Sequence, residues 1–202
     1  SHIYILDKNF IEAEQILSKP LLVNSDLPSV HRNQIRLLLI QSKFSEALKR
    51  AELLYERSID DPENYIILAA CLGANQKDEE ALIFIEKALE ASPNYAEAFA
   101  NRALIRLRMN DKEGAVEDAK MTVLLKPHMT QFWSLLGTLY YEDKKLESAI
   151  YSLEKACEFE PNNITFIITL ANFQIEYGKI LNAINILQLA TKMEPDNFKI
   201  WK

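Results

Sequence analysis

The sequence predicts an all-α chain in which antiparallel helix pairs stack side by side into a superhelix. Three observations predict it. Prolines recur at a fixed step: Pro28 and Pro62 lie 34 residues apart, and Pro93, Pro127, Pro161 and Pro195 follow one another at the same step. Alanines keep the same register. If position 1 of a unit falls at Pro28, Pro62, Ala96, Thr130, Ile164 and Phe198, then Ala13, Ala47, Ala81, Ala115, Ala149 and Ala183 all fall at position 20. Glycine is scarce, four in 202 residues, which disfavours sheets joined by tight turns. A period of this length marks helical units that cannot bury an apolar face alone and must stack on their neighbours.

The units follow in order. Residues 1–27 form a partial repeat, with Tyr4 at position 11 and Ala13 at position 20. Residues 28–61 form the least regular full repeat, with His31 at position 4, Gln34 and Ile35 at 7 and 8, and Ile59 at 32. Residues 62–95 open on Asp61-Pro62-Glu63, an N-cap acid, a first-turn proline and an acid at the positive helix end. That repeat carries Tyr65, Leu68, Ala69 and Leu72 at helical spacing, then Ala81, Ile85, Ala88 and Pro93. Residues 96–129 place Arg102 and Arg106 where the other repeats are mostly apolar. Residues 130–163 are the most regular. Trp133, Leu136, Gly137 and Tyr140 define a first helix, Glu142 to Lys145 a polar turn, and Ala149, Leu153 and Ala156 a second helix stopped by Pro161. Residues 164–197 repeat the pattern with Ile167, Leu170, Ala171, Gln174, Ala183, Leu187, Ala190 and Pro195. Residues 198–202 begin a further unit, with Trp201 at position 4.

The physical reason for the pattern is local. Small residues at positions 8 and 20 let the two helices approach, and large apolar residues at 4, 7, 11 and 24 fill the space beside them. These residues resemble the tetratricopeptide repeat (TPR), whose pattern is Trp, Leu, Gly and Tyr at 4, 7, 8 and 11, then Ala, Phe, Ala and Pro at 20, 24, 27 and 32. The unit of residues 130–163 departs from it only at Leu153. The resemblance covers essentially the whole chain. It implies a right-handed superhelical solenoid of five full repeats with partial repeats at both ends, in one domain spanning residues 1–202. Helix-pair units are unfinished at both ends, because residue 1 falls at position 8 and residue 202 at position 5. The expectation is a segment of a longer TPR protein.

Composition narrows the function. The chain is 49% hydrophobic and 26% charged, with a net charge of −6. An acidic chain is a poor partner for nucleic acid, which needs several phosphate-neutralising cations. No run approaches the roughly 18 apolar residues of a membrane helix, so no membrane insertion is expected. The three histidines make no metal-ligand spacing with cysteine or carboxylate, and no phosphate-binding loop or nucleophile motif is present. The expectation is therefore a chain that is not an enzyme, with no cofactor and no metal. Cys71 and Cys157 are far apart in sequence and fall inside helices. They read as small buried apolar residues, which suits a reducing, cytoplasmic or cytosol-facing location.

What remains is the face of each first helix at positions 2, 5, 6, 9, 12 and 13, opposite the side that meets the second helix. In the resembled family this face lines a concave groove where partner segments dock. The candidate groove residues here are Arg32, Asn33, Arg36, Ile66, Ile67, Asn101, Leu104, Arg108, Leu135, Thr138, Ile168 and Asn172. Ile66, Ile67, Leu104, Leu135 and Ile168 form an apolar strip with a polar border, the pattern of an interaction surface. Arg32 and Arg36 add a small basic spot.

Two modes known in the family fit poorly. The chaperone-tail carboxylate clamp needs cations that no frame supplies; the frame from Pro28 gives Arg32, Arg36, Ile67, Glu97 and Asn101. The asparagine ladder of the O-GlcNAc transferase arms needs asparagine at position 6, where only Asn33 and Asn101 of five repeats comply. The expected function is a protein-protein interaction module that binds a peptide segment or helix of a partner protein in its groove. Alternatives are the substrate-recruiting arm of a larger enzyme, glycosyltransferase- or sulfotransferase-like, and a scaffold that self-associates through its exposed chain ends.

Overall fold

A computed structural model describes residues 27–193, and within them the chain is all-α. Among the described residues ten helices alternate in pairs. They are α1 (Pro28–Ile40), α2 (Phe44–Arg57), α3 (Pro62–Ala74), α4 (Asp78–Ala91), α5 (Ala96–Arg108), α6 (Lys112–Leu125), α7 (Thr130–Glu142), α8 (Leu146–Phe159), α9 (Ile164–Glu176) and α10 (Ile180–Met193). The five first helices start at 28, 62, 96, 130 and 164, position 1 of the sequence register each time. The expected TPR fold class is therefore observed. Tyr4, Ala13, Pro195, Phe198 and Trp201, which extend that register, lie outside the described residues.

Local chemistry sets the helix ends. At α3, the Asp61 side chain accepts a hydrogen bond from the Glu63 backbone N–H at 2.9 Å, with Pro62 in the first turn. At α9, the Asn163 side chain accepts from the Phe166 N–H at 3.4 Å. Each first helix ends in the same way, on one residue with positive φ: Ser42 at 59°, Gln76 at 62°, Asn110 at 63°, Lys144 at 59° and Gly178 at 85°. The next N–H then closes a wide turn, as in Lys43 to the Leu38 carbonyl, Lys77 to Leu72, Lys145 to Tyr140 and Lys179 to Gln174. This is the Schellman closure of a helix C-terminus. It reverses the chain within three residues and lays the second helix back along the first.

The helices form two compact units, divided between Asp111 and Lys112. In the first, α1 packs on α2, α2 on α3, α3 on α4 and α4 on α5, and α3 also touches both α1 and α5. Its core runs through Ile35, Leu39, Ala47, Leu54, Leu68, Leu72, Ala81 and Ile85. In the second, α6 packs on α7, α7 on α8, α8 on α9 and α9 on α10. Its core gathers Ala149, Ile150, Leu153, Leu170 and Phe173, with Ile167 and Ala190 beside it.

The small residues act as their spacing predicts. Ala47, Ala81, Ala115, Ala149 and Ala183 at position 20 all have zero exposure. A Cβ added to Gly137 at position 8 would lie 3.3 Å from the Ala149 carbonyl oxygen and 3.0 Å from Leu153, so α7 and α8 meet there almost backbone to backbone.

Candidate protein-interaction surface

The first-helix face of the first unit is built from α1, α3 and α5. Arg32 reaches from α1 to the start of α3, 2.8 Å from the Asp61 carboxylate, 2.7 Å from Glu63 and 3.0 Å from the Asn64 side-chain oxygen. Arg36 lies 3.6 Å from Glu63 and donates to the Asn33 side chain at 3.2 Å. The expected basic spot is thus spent on fastening α1 to α3. Its cations already face carboxylates. Burial, together with Glu97 and Glu63 nearby, pushes the Tyr95 phenol well above its ordinary value.

Ile66 and Ile67 correct the expected apolar strip. They are 6% and 4% exposed. The reason is the position of α3, whose two first-helix neighbours close over it from either side. Leu104 stays half-buried, and half-buried Asn101 donates its amide to the Glu97 carbonyl of its own helix at 2.8 Å. Arg108 is exposed and engages Asp78 through two guanidinium nitrogens, one at 3.1 Å. It therefore ties α5 to α4.

The second unit keeps more of its face open. Leu135 on α7 and Ile168 on α9 are half-buried, and Thr138 and Asn172 are exposed. The Thr138 hydroxyl donates to the Ser134 carbonyl at 3.1 Å, and that of Thr169 to Thr165 at 2.8 Å, so both are satisfied within their own helices. At the far end Tyr141 stacks flat on Phe173, with centroids 4.4 Å apart and planes 4° apart, and its hydroxyl donates to Glu176 at 2.8 Å. That contact joins α7 to α9, and sequence spacing gave no sign of it.

Cys71 is buried and Cys157 half-buried, and both are free thiols. Among the described residues no group of three or more His, Cys, Asp or Glu side chains converges as a metal site. Among those residues, too, no helix is long and apolar enough to cross a membrane.

Comparison with known proteins agrees with this architecture. The chain is 26% identical over 115 residues to human tetratricopeptide repeat protein 33, covering 57% of this chain and 44% of that protein. It spans less than half the length of the curated relatives it matches. Its fold is similar to that of MamA from Desulfovibrio magneticus RS-1, with a TM-score of 0.67, 21% identity and coverage of 86% of this chain and 98% of that one. It is also similar to YrrB, described as a TPR protein with an unusual peptide-binding site, with a TM-score of 0.62, 16% identity and 96% of each chain covered. The model of the family described as ChAPs (Chs5p-Arf1p-binding proteins) matches residues 8–163. With its helix pairs, its register and that match, the chain is a TPR protein and belongs to the ChAPs family.

Proposed function

We propose that this chain is a protein-interaction module whose first-helix face binds a peptide segment or helix of a partner protein without a carboxylate clamp. The observation that carries the reading is the open face of the second unit. There half-buried Leu135 and Ile168 lie on the same face as exposed Thr138 and Asn172, and Ile168 also packs against the core beside Ile167 and Ala190. An apolar strip with a polar border suits a docked backbone and its side chains. In the first unit, Leu104 and Asn101 offer a smaller surface of the same kind. The family description, which names proteins that bind Chs5p and Arf1p, supports protein binding as the role. The free thiols of Cys71 and Cys157 support a reducing, cytoplasmic setting.

The test is a double substitution, Thr138→Arg with Asn172→Arg, at two exposed positions where surface changes leave stability nearly unaltered. Circular dichroism of the variant should match the wild type. Binding to Chs5p-type and Arf1p-type proteins, measured by calorimetry with the full chain, should weaken by about tenfold or more for at least one of them. Unchanged affinity for both would remove this face from the function.

A further inference from the structure

The second unit also holds a cavity of about 690 Å³ between α6, α7 and α8. Trp133, Leu136 and Tyr140 form its floor, at the positions of α7 that face the second helices, so it is separate from the face proposed above. Leu124 of α6 and Tyr151 of α8 stand on its walls, 71% and 55% exposed. The Trp133 ring is fixed there. Its Nε1–H donates to the Pro127 carbonyl at 2.9 Å, and Tyr151 meets it edge-on at 6.3 Å and 80°.

The first unit shows what fills such a place. Between α2, α3 and α4 the equivalent positions 28, 4 and 23 carry Tyr55, Tyr65 and Phe84. Their rings form one cluster, with centroids 5.9 Å apart for Tyr55 and Tyr65, 5.3 Å for Tyr55 and Phe84, and 6.4 Å for Tyr65 and Phe84. In the second unit the same positions are Val123, Trp133 and Ser152. Two aromatic rings are replaced by a valine and a serine, and the cavity is the space they vacate.

Charge specifies the rest. A polar furrow adjoins the cavity and shares Lys120 and Tyr140 with it. Lys112 pairs with Glu142 at 2.6 Å and Lys145 with Asp143 at 2.6 Å along this furrow. The remaining charged lining residues are Glu113, Glu117 and Glu147 against Lys120, an acidic excess.

We infer that this groove is a second docking site, for a partner segment that presents an aromatic side chain with lysine or arginine a few residues away. The partner's ring completes the cluster as Phe84 does in the first unit. Its cation meets the carboxylates of Glu113 and Glu117.

The test uses the full chain with Trp201→Phe, so that emission comes from Trp133 alone, since the chain has two tryptophans. The probe is a capped nonapeptide of serine and lysine with one central phenylalanine. It should shift Trp133 emission saturably. Peptides with alanine for the phenylalanine, or glutamate for the lysines, should bind at least about tenfold more weakly. Ser152→Phe should fill the groove and abolish the shift. Leu124→Lys, at an exposed wall position, should weaken binding and carries the test if Ser152→Phe does not fold. The Thr138→Arg, Asn172→Arg chain should still bind the probe, which separates this site from the one proposed above. Absence of any shift, equal binding of the control peptides, or undiminished binding to a folded Ser152→Phe chain overturns the inference. So does p-cresol alone binding as tightly as the peptide, which would make the cavity a small-molecule pocket.

Discussion

Cys71 has no exposed surface, and burial, with Glu52 second, pushes its thiol from an ordinary 9.0 up to about 12. Cys157 follows in the same direction, to about 11, again chiefly through burial. An acid whose folded value is raised holds its proton longer in the folded chain than in the unfolded one. The stability this represents is complete below about pH 9 and is lost as pH climbs through the folded value. The melting temperature should therefore fall between pH 9 and pH 11 more steeply in wild type than in Cys71→Ala. Parallel declines in the two chains would show that the thiol is not shielded. At this scale the sequence was readable where side-chain size is the message, as in the five fully buried alanines of position 20. It was misleading where a charge has a partner at the start of another helix. Arg32 and Arg36 looked like a basic spot, but Asp61 and Glu63, about 30 residues away in the chain, already occupy them.

At the scale of the element, helix starts were legible because caps are written in adjacent residues. Asp61-Pro62-Glu63 is one such signal, and the Asp61 side chain caps α3 as expected. Helix ends were less so. Position 15 adopts a left-handed conformation in all five repeats, yet only Gly178 and Asn110 are residue types that favour it. Serine, glutamine and lysine are held there by the closing hydrogen bond and by the packing of the second helix. The left-handed conformation costs an L-residue roughly 1–2 kcal/mol. Lys144→Gly should relieve part of that strain and stabilise the chain by about 1 kcal/mol, seen as a higher midpoint in urea. A lower midpoint would mean that the greater freedom of glycine in the unfolded chain outweighs the relief.

At the scale of the whole molecule, helices at the same place in the register have unequal roles. α3 buries ten of its thirteen residues, whereas α1 buries four of thirteen. Residue type and place both contribute: α3 is the more apolar of the two, and it has a first helix on either side and its own second helix behind it. In repeat arrays stability is carried by such neighbour contacts, and local opening is easiest where they are few. Native-state hydrogen exchange should find the amides of α3 the slowest among the first helices of the first unit, and those of α1 clearly faster. Equal rates would show that the unit opens as one cooperative block.

The sequence by itself determined the all-α class, the 34-residue register and the close contacts of positions 8 and 20. Those features depend on spacing along one chain segment, and helical geometry converts spacing directly into a face. Tertiary structure alone decided which parts of those faces stay open. Ile66 and Ile67 occupy the same register positions as Ser134 and Leu135, which stay half-buried, but are covered from both sides. The cavity over Trp133 exists because Val123 and Ser152, from two different helices, are both small where Tyr55 and Phe84 are large. Exposure and empty space are sums over several neighbours, and no single segment of the sequence contains the sum.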